Sequence, residues 1–430
     1  MADDANRSSA PLYNSSMPDQ SNLSRRGALM GLASAPLLAQ ASLAAAEASR
    51  PRPFRVAIPQ RKIDRILKRV RDAQWPDRLD GSAWQYGANW DYMHELAGYW
   101  TTRFDWRKAE AKLNAHPQFI AQVDGFDIHY YHVRGKGPRP FPIVLTHGWP
   151  GSVVEFQDAI GPLTDPAAFG GSADDAFDVV IPSLPGFGFS SKPPKPVGPV
   201  TIARLWNKLM KDVAGYSRFG AQGGDWGQAV TIQLAVQFPE SLAGIHFSGT
   251  TARALPEAEQ TDEEKAWVRV SGAYRQTELD YFGEQSRKPQ TVAFALSDSP
   301  LGTAAWIIEK FKVWSDSESG VDGIEHAFTK DQLLTNVMWY LVTDTAGSAV
   351  WIYRGNADEP AGPRGKIAVP TGFAGFPKEM PIFLPPRRFL ERDFNLVHYT
   401  QMPKGGHFAC MEQPRLFVDD LRTFFRGVRS

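Results

Sequence analysis

Cysteine is nearly missing from this sequence: Cys410 stands alone among 430 residues. That excludes an intramolecular disulfide framework and a metal site built from several thiolates. An excess of charge is missing too. Lys and Arg together number 47, as do Asp and Glu, so no global field draws the chain to nucleic acid or an anionic membrane. The nine histidines show no His-Glu-x-x-His or similar ligand spacing, so no metal is implied. Beyond the N-terminal segment no apolar run is long enough to span a bilayer. No internal repeat appears. Apolar and aromatic residues are plentiful. Hydrophobic residues make up 43%, with 13 Trp and 26 Phe, which supports an ordinary globular core.

The N-terminal segment, residues 1–46, reads as a targeting signal. Ser24-Arg25-Arg26-Gly27-Ala28-Leu29-Met30 carries paired arginines, and a weakly apolar run follows. Ala44-Ala45-Ala46 then offers small residues for cleavage. Paired arginines with moderate hydrophobicity predict twin-arginine export, hence a periplasmic protein. Residues 50–116 form a separate helical meander. Ile63, Ile66, Leu67 and Val70 repeat at helical spacing. A second amphipathic helix is expected over residues 91–103. Trp84, Tyr86, Trp90, Tyr92, Trp100 and Trp106 crowd this segment, yet no basic groove accompanies them, as nucleic-acid stacking would require.

From about residue 117 the pattern changes to alternating strands and helices. The β-rich runs 119–123 and 126–133 flank Asp124-Gly125, a hairpin signal. Runs 142–146, 178–182 and 242–247 are short and continuously apolar, as buried parallel strands are. Helices are expected over residues 152–160, 202–216 and 228–238. This order predicts an α/β fold with a mostly parallel sheet and helices on both faces. The alternation stops between residues 251 and 364, where only helical patterns remain. Strand patterns resume at 365–370 and 395–399, and a last helix is expected over 414–425. The core therefore comprises 117–250 and 365–430. The interruption reads as a helical cap over the C-terminal edge of the sheet, where ligands bind in such folds.

Within the core, Gly223-Gly224-Asp225-Trp226-Gly227 lies between a strand and a helix. This is the nucleophile-elbow pattern of an α/β-hydrolase, with aspartate where serine is usual. Serine needs a base to remove its proton. An aspartate is already ionised at neutral pH. It can attack an sp³ carbon directly and form an alkyl ester. A base then serves to activate water against that ester. His407, in Gly405-Gly406-His407-Phe408 after the last strand, stands where this fold carries its base. Glu379 is the candidate acid to orient it, with Asp393 as a rival. Backbone N–H groups of Trp226 and of Trp149, in the turn His147-Gly148-Trp149-Pro150, are expected to hold the oxyanion. A halide or an epoxide oxygen could leave. Halide needs N–H donors such as tryptophan side chains. An epoxide needs an acid, for which tyrosines projecting from the cap are suited.

Taken together, the motifs resemble those of the microsomal-type epoxide hydrolases. The resemblance covers nearly everything after the signal. It rests on the aromatic spacing of residues 55–110, on His147-Gly148-Trp149-Pro150-Gly151-Ser152 and on the elbow. In the cap it includes Lys288-Pro289-Gln290-Thr291-Val292, Trp306-Ile307-Ile308-Glu309-Lys310-Phe311 and Leu333-Leu334-Thr335-Asn336-Val337-Met338. Near the end it includes Phe376-Pro377-Lys378-Glu379 and Gly405-Gly406-His407-Phe408-Ala409. The resemblance implies Asp225 as nucleophile, with Glu379 and His407 as the water-activating pair. It implies Tyr281 and Tyr353 as the cap tyrosines that bind the epoxide oxygen, with Tyr274 as the local rival of Tyr281. Trp149 and Trp226 would border the substrate. It also implies a cis Trp149-Pro150 bond. The expected activity is conversion of an apolar, small-molecule epoxide and water to a vicinal diol, with no cofactor. Nucleic acid and a membrane span are not expected, and oligomerisation is left open. A haloalkane dehalogenase would share the nucleophile, but Trp149 and the two tyrosines speak against it. A ligand-binding protein without catalysis would not need the complete set.

Overall fold

The computed structural model describes residues 50–81, 83–359 and 365–429. The expected export signal lies outside the described residues. Nine strands form one sheet: β1 (Arg52–Phe54), β2 (Gln118–Val123), β3 (Phe126–Val133), β4 (Phe141–Thr146), β5 (Phe177–Pro182), β6 (Phe219–Gly223), β7 (Leu242–Phe247), β8 (Ile367–Gly375) and β9 (Phe394–Gln401). Their spatial order is β1-β2-β3-β5-β4-β6-β7-β8-β9. β1, β2, β3 and β5 pair antiparallel, and every other pairing is parallel.

The apolar runs explain the centre of the sheet. Every residue of β5 and β7 is buried, because helices cover both faces of a parallel sheet. The β2–β3 hairpin turns at Asp124 and Gly125, both with positive φ, the combination a two-residue hairpin of matching twist needs. After β4 the chain passes to β5 on one side and then to β6 on the other. Two neighbouring strands thus send their following segments in opposite directions, which opens a crevice at their C-terminal ends. The register pairs Thr146 with Gly223. The His147 turn and the elbow therefore emerge side by side.

Some details depart from the periodicity. The expected 202–216 helix is α-helical over Pro199–Lys208 and then widens to a π-helical turn, Leu209–Val213. The N–H of Ala214 reaches back to Leu209 O, so one extra residue is accommodated in that turn. The expected 152–160 helix begins as a 3₁₀ turn, Val153–Phe156, before Gln157–Thr164 continues as α-helix. β1, which contains Pro53, was not expected. It sits at the sheet edge, where a missing N–H is tolerated. A further helix, Trp106–Leu113, is capped by Asp105, whose carboxylate accepts from the N–H of Arg107.

Between β7 and β8 the described residues form helices and no strand. The longer ones are Asp262–Glu278, Asp280–Arg287, Pro289–Asp298, Pro300–Trp314, Lys330–Val342 and Trp351–Asp358. Helix Gln60–Arg71 of the N-terminal meander packs against Pro300–Trp314. No helix among the described residues is long and apolar enough to cross a membrane.

The closing helix, Pro414–Val428, is fixed to the sheet by a buried polar cluster. Asp420 accepts from His246 on β7 (2.8 Å) and from His398 (2.9 Å) and Thr400 (2.6 Å) on β9. Burial alone would raise the Asp420 pKa. The hydrogen bonds outweigh it and hold the carboxyl well below the usual carboxylate range. A depressed folded-state pKa gives stability that is complete above the unfolded value, about 4, and is lost as pH falls below it. Asp420→Asn should therefore cost about 2–3 kcal/mol at pH 7, as removal of a buried charged acceptor does. Urea unfolding at pH 7 and below pH 4 checks this. The gap between wild type and variant should narrow in acid, and a constant gap would contradict the charge-based account.

Candidate active site

The elbow follows β6 directly. Asp225 adopts φ 47° and ψ −128°, a strained conformation for a residue with a side chain. Glycine flanks it for a steric reason. A Cβ at Gly223 would collide with the backbone of Gly227, and one at Gly227 with the carbonyl of Thr146. With both small, the helix Trp226–Gln237 starts immediately and Asp225 projects from its N-terminus. The helix dipole there favours a negative charge.

One carboxylate oxygen, Asp225 Oδ1, accepts the backbone N–H of Trp149 at 2.8 Å. The other, Oδ2, lies 3.5 Å from His407 Nε2. His407 Nδ1 is 2.8 Å from Glu379 Oε1, which also accepts the N–H of Met380 at 2.7 Å. Both His407 and Glu379 are buried. Burial opposes charge on His407, but Glu379, followed by Asp225, outweighs it and raises the imidazole pKa well above its usual value. The structure brings Glu379 to His407 and leaves Asp393 elsewhere, at the end of helix Arg387–Asp393 and paired with Arg392 at 2.7 Å.

The turn carrying Trp149 is braced from several sides. The Trp149-Pro150 bond is cis. His147 is buried, and its pKa is lowered to about 4 by desolvation. Neutral, it donates from Nδ1 to Gly148 O and accepts the N–H of Leu184 at Nε2. The cap helix Lys330–Val342 reaches the same turn. Asn336 donates to Pro150 O at 2.8 Å and accepts from Ser152 at 2.7 Å, while Tyr340 donates to Gly151 O.

Above the carboxylate the cap contributes two buried tyrosines. Tyr281 stacks on Trp149 with ring centres 5.5 Å apart. Tyr353 stands edge-on to Trp226 at 4.7 Å and to Tyr281 at 6.0 Å. Burial raises both phenol pKa values well above 10, and nearby Asp225 adds to the rise in each. Both therefore keep their protons and remain donors. The Tyr353 hydroxyl and the Trp226 indole N–H are buried without a hydrogen-bond partner among the described residues, which suits groups awaiting a ligand. Tyr274 lies on helix Asp262–Glu278, close to Tyr281 and with its hydroxyl also buried without a partner among the described residues, but it is Tyr281 that stacks on Trp149. Phe282 and Trp314 complete the apolar walls.

Two contributors were given no role by the sequence. Lys310 holds its ammonium 4.6 Å from the Tyr281 ring centre, a cation–π contact that fixes the ring. Glu412 accepts three backbone N–H groups, from Gly406, Phe408 and Asp316, at 2.8–2.9 Å. It shapes the loop that presents His407. Burial pushes its pKa up to about 7. Lys310 acts on a ring remote in sequence, and Glu412 ties its own loop to the distant Asp316. Cys410 is buried beside this loop, and burial pushes its thiol pKa up. That disfavours the reactive thiolate. Among the described residues no group of three or more His, Cys, Asp or Glu is placed to hold a metal ion.

The arrangement is that of a carboxylate nucleophile with an oxyanion donor, a buried imidazole–carboxylate pair and two phenol donors. Similarity to known proteins agrees with it. Residues 51–156 match the family "Epoxide hydrolase N terminus", and residues 142–302 match "alpha/beta hydrolase fold". Epoxide hydrolase 1 of Sus scrofa is 35% identical over 89% of this chain and 90% of its own length. The structure of Aspergillus niger epoxide hydrolase superimposes with a TM-score of 0.77, at 30% identity, over 89% of this chain and 97% of that one. The juvenile hormone epoxide hydrolase of the silkworm Bombyx mori gives a TM-score of 0.79 at 27% identity, over 89% and 95%. By this sequence and structural similarity the chain belongs to the epoxide hydrolase family of α/β-hydrolase fold.

Proposed function

We propose that this epoxide hydrolase converts apolar epoxides to vicinal diols in two steps through an ester on Asp225. The observation that carries the reading is the placement of one carboxylate. Asp225 lies between the Trp149 N–H, His407 and the two cap tyrosines. Tyr281 and Tyr353 hydrogen-bond the epoxide oxygen. Asp225 Oδ2 attacks a ring carbon, the ring C–O bond breaks, and the alkoxide takes a phenol proton. His407, cationic in the free enzyme, returns a proton to the phenolate once the ester has formed; water then attacks Asp225 Cγ, giving a proton to the neutral imidazole, which Glu379 orients. The oxyanion forms at Oδ1, where the Trp149 N–H already points, and the N–H of Trp226 is the second donor. The tetrahedral centre collapses with loss of the diol, which takes that proton from the imidazole, and the proton left on the Asp225 carboxyl passes to His407, restoring the starting state. The walls of Trp149, Trp226, Phe282 and Trp314 favour an apolar substituent on the substrate.

One turnover in heavy-oxygen water with enzyme in excess tests the scheme. The first diol should carry unlabelled oxygen from Asp225, and the label should enter Asp225, as read by peptide mass. Solvent label in the first diol would mean direct attack by water and would remove Asp225 from its role. The tyrosines are tested by rapid-mixing measurement of ester formation. Tyr281→Phe or Tyr353→Phe alone should slow ring opening about 10- to 100-fold, and the double variant at least about 10³-fold, as loss of general acid catalysis does. Ester hydrolysis should change little.

We also propose that residues 1–46 direct export to the periplasm, where the enzyme would detoxify epoxides. The paired arginines support this reading. Replacing Arg25 and Arg26 by Lys should leave the protein in the cytoplasm on cell fractionation. Unchanged periplasmic recovery would refute twin-arginine export.

A further inference from the structure

A small cavity lies behind the nucleophile, of about 20 Å³. One water molecule needs roughly 10–15 Å³ measured this way. Asp225 and His407 line it, and so do Glu155, Gln222, Ser248 and Cys410. Apart from Asp225 and His407, none of these has a part in the scheme above. Two of them look built for a polar guest. Gln222 is buried on β6, and its Oε1 has no hydrogen-bond partner among the described residues. Buried polar atoms of that kind are ordinarily satisfied by protein or by an ordered water. Glu155 is half-buried as a residue, and its carboxyl group is turned inward, filling the space a Cβ at position 151 would take. Gly151 thus makes room for a carboxyl group beside the oxyanion turn.

We infer that this cavity is the seat of the hydrolytic water, and that Glu155 and Gln222 are the positioning residues that aim it. The inference rests on the ester mechanism proposed above. In the hydrolysis step His407 Nε2 accepts one hydrogen of the water, and Gln222 Oε1 or Glu155 accepts the other. A lone pair is left to face Asp225 Cγ. The O–Cγ bond forms as the first proton passes to His407, and the negative charge collects on Oδ1. The Cγ–Oδ2 bond then breaks, and the departing alkoxide takes the proton back from His407 to become the diol hydroxyl. Neither positioning residue gains or loses a proton overall.

The charge around Glu155 is consistent with this role. Burial, with Asp225 and Glu412 adding to it and His407 opposing it, raises its pKa to about 8. At neutral pH it is mostly a neutral acid, which can accept at one oxygen and donate at the other. A neutral group does not repel the charge developing on Oδ1. Tyr340 and Cys410 also lie close enough to feel Glu155, and both stay protonated.

The test separates the two chemical steps by rapid mixing and acid quench on the full enzyme, with adduct followed by intact mass. His407→Gln serves as the reference for a blocked second step. In Glu155→Ala, ester formation should stay within about threefold of wild type while ester hydrolysis slows at least about tenfold, as loss of reactant positioning does. The adduct should then accumulate during turnover. Glu155→Gln should recover most of the hydrolysis rate, because the carboxamide is neutral and keeps one acceptor and one donor in place. Gln222→Met, similar in shape, should show the same selective slowing and keeps the test open if Glu155→Ala does not fold. Folded variants in which both steps fall together, or neither falls, would overturn the inference. Absence of any adduct in His407→Gln, with a substrate that wild type converts, would instead overturn the ester mechanism.

Discussion

Everything in this active site hangs on one strained residue. Asp225 is held at positive φ, at a cost of about 1–3 kcal/mol for a residue with a side chain. What holds it there is close packing of backbone on backbone, at Gly223, Gly227 and Thr146. The parallel register of β4 and β6 then decides what the nucleophile meets. Because Thr146 is level with Gly223, the next residues of both strands emerge together, and the Trp149 N–H meets Oδ1 without any long-range adjustment. The sheet thus delivers a nucleophile and an oxyanion donor as one unit. The cap braces that unit through Asn336 and Tyr340, so the seating of the cap and the shape of the oxyanion turn share the same contacts.

Charge gives the site its order of operations. In the free enzyme His407 sits between two carboxylates, and both favour its charged form. A cation there steadies Asp225 and is no base. Esterification removes the charge of Asp225. A unit charge about 4 Å away is worth on the order of 4 kcal/mol at an effective dielectric constant of 20, or about three powers of ten in proton affinity. Losing that much support turns His407 from an acid toward a base only after the ester exists. The same electrostatics keep Tyr281 and Tyr353 protonated until a ring oxygen needs their protons. Each group is therefore in the form its step requires.

The parts of this site that were legible in the sequence are the parts made by a short piece of chain. The elbow is local geometry, so Gly223-Gly224-Asp225-Trp226-Gly227 announces itself. His407 is marked by its place between the last strand and the closing helix. Glu379 and Asp393 could not be told apart by fold logic, because the loop after β8 has no fixed length. The Phe376-Pro377-Lys378-Glu379 resemblance favoured Glu379, and the structure sets it against His407 through the bridge of Lys378 with Gly406. Tyr281 and Tyr274 sit on successive helices; register with Pro289 in the resemblance favoured Tyr281, and the packing on Trp149 agrees. Glu412, Lys310 and Glu155 were given no role from sequence for a common reason. Each matters at least in part through a residue far away in sequence: Asp316 for Glu412, Tyr281 for Lys310 and His407 for Glu155. The π-helical turn and the edge strand β1 escaped because their signals, one extra residue and a proline, oppose the elements they join.

The two sides of Asp225 divide the reaction. On one side stand phenols and aromatic walls, fit for an apolar molecule with one basic oxygen. On the other stand a buried imidazole, a carboxamide and carboxyl groups around a space the size of one water molecule. An enzyme that let bulk water reach the first side would gain nothing, since the ring is opened by a carboxylate that water would solvate and weaken. An enzyme that kept the second side dry could not release its product. Placing the nucleophile as the partition meets both needs, because the same carbonyl carbon is presented to the second side once the substrate is attached from the first.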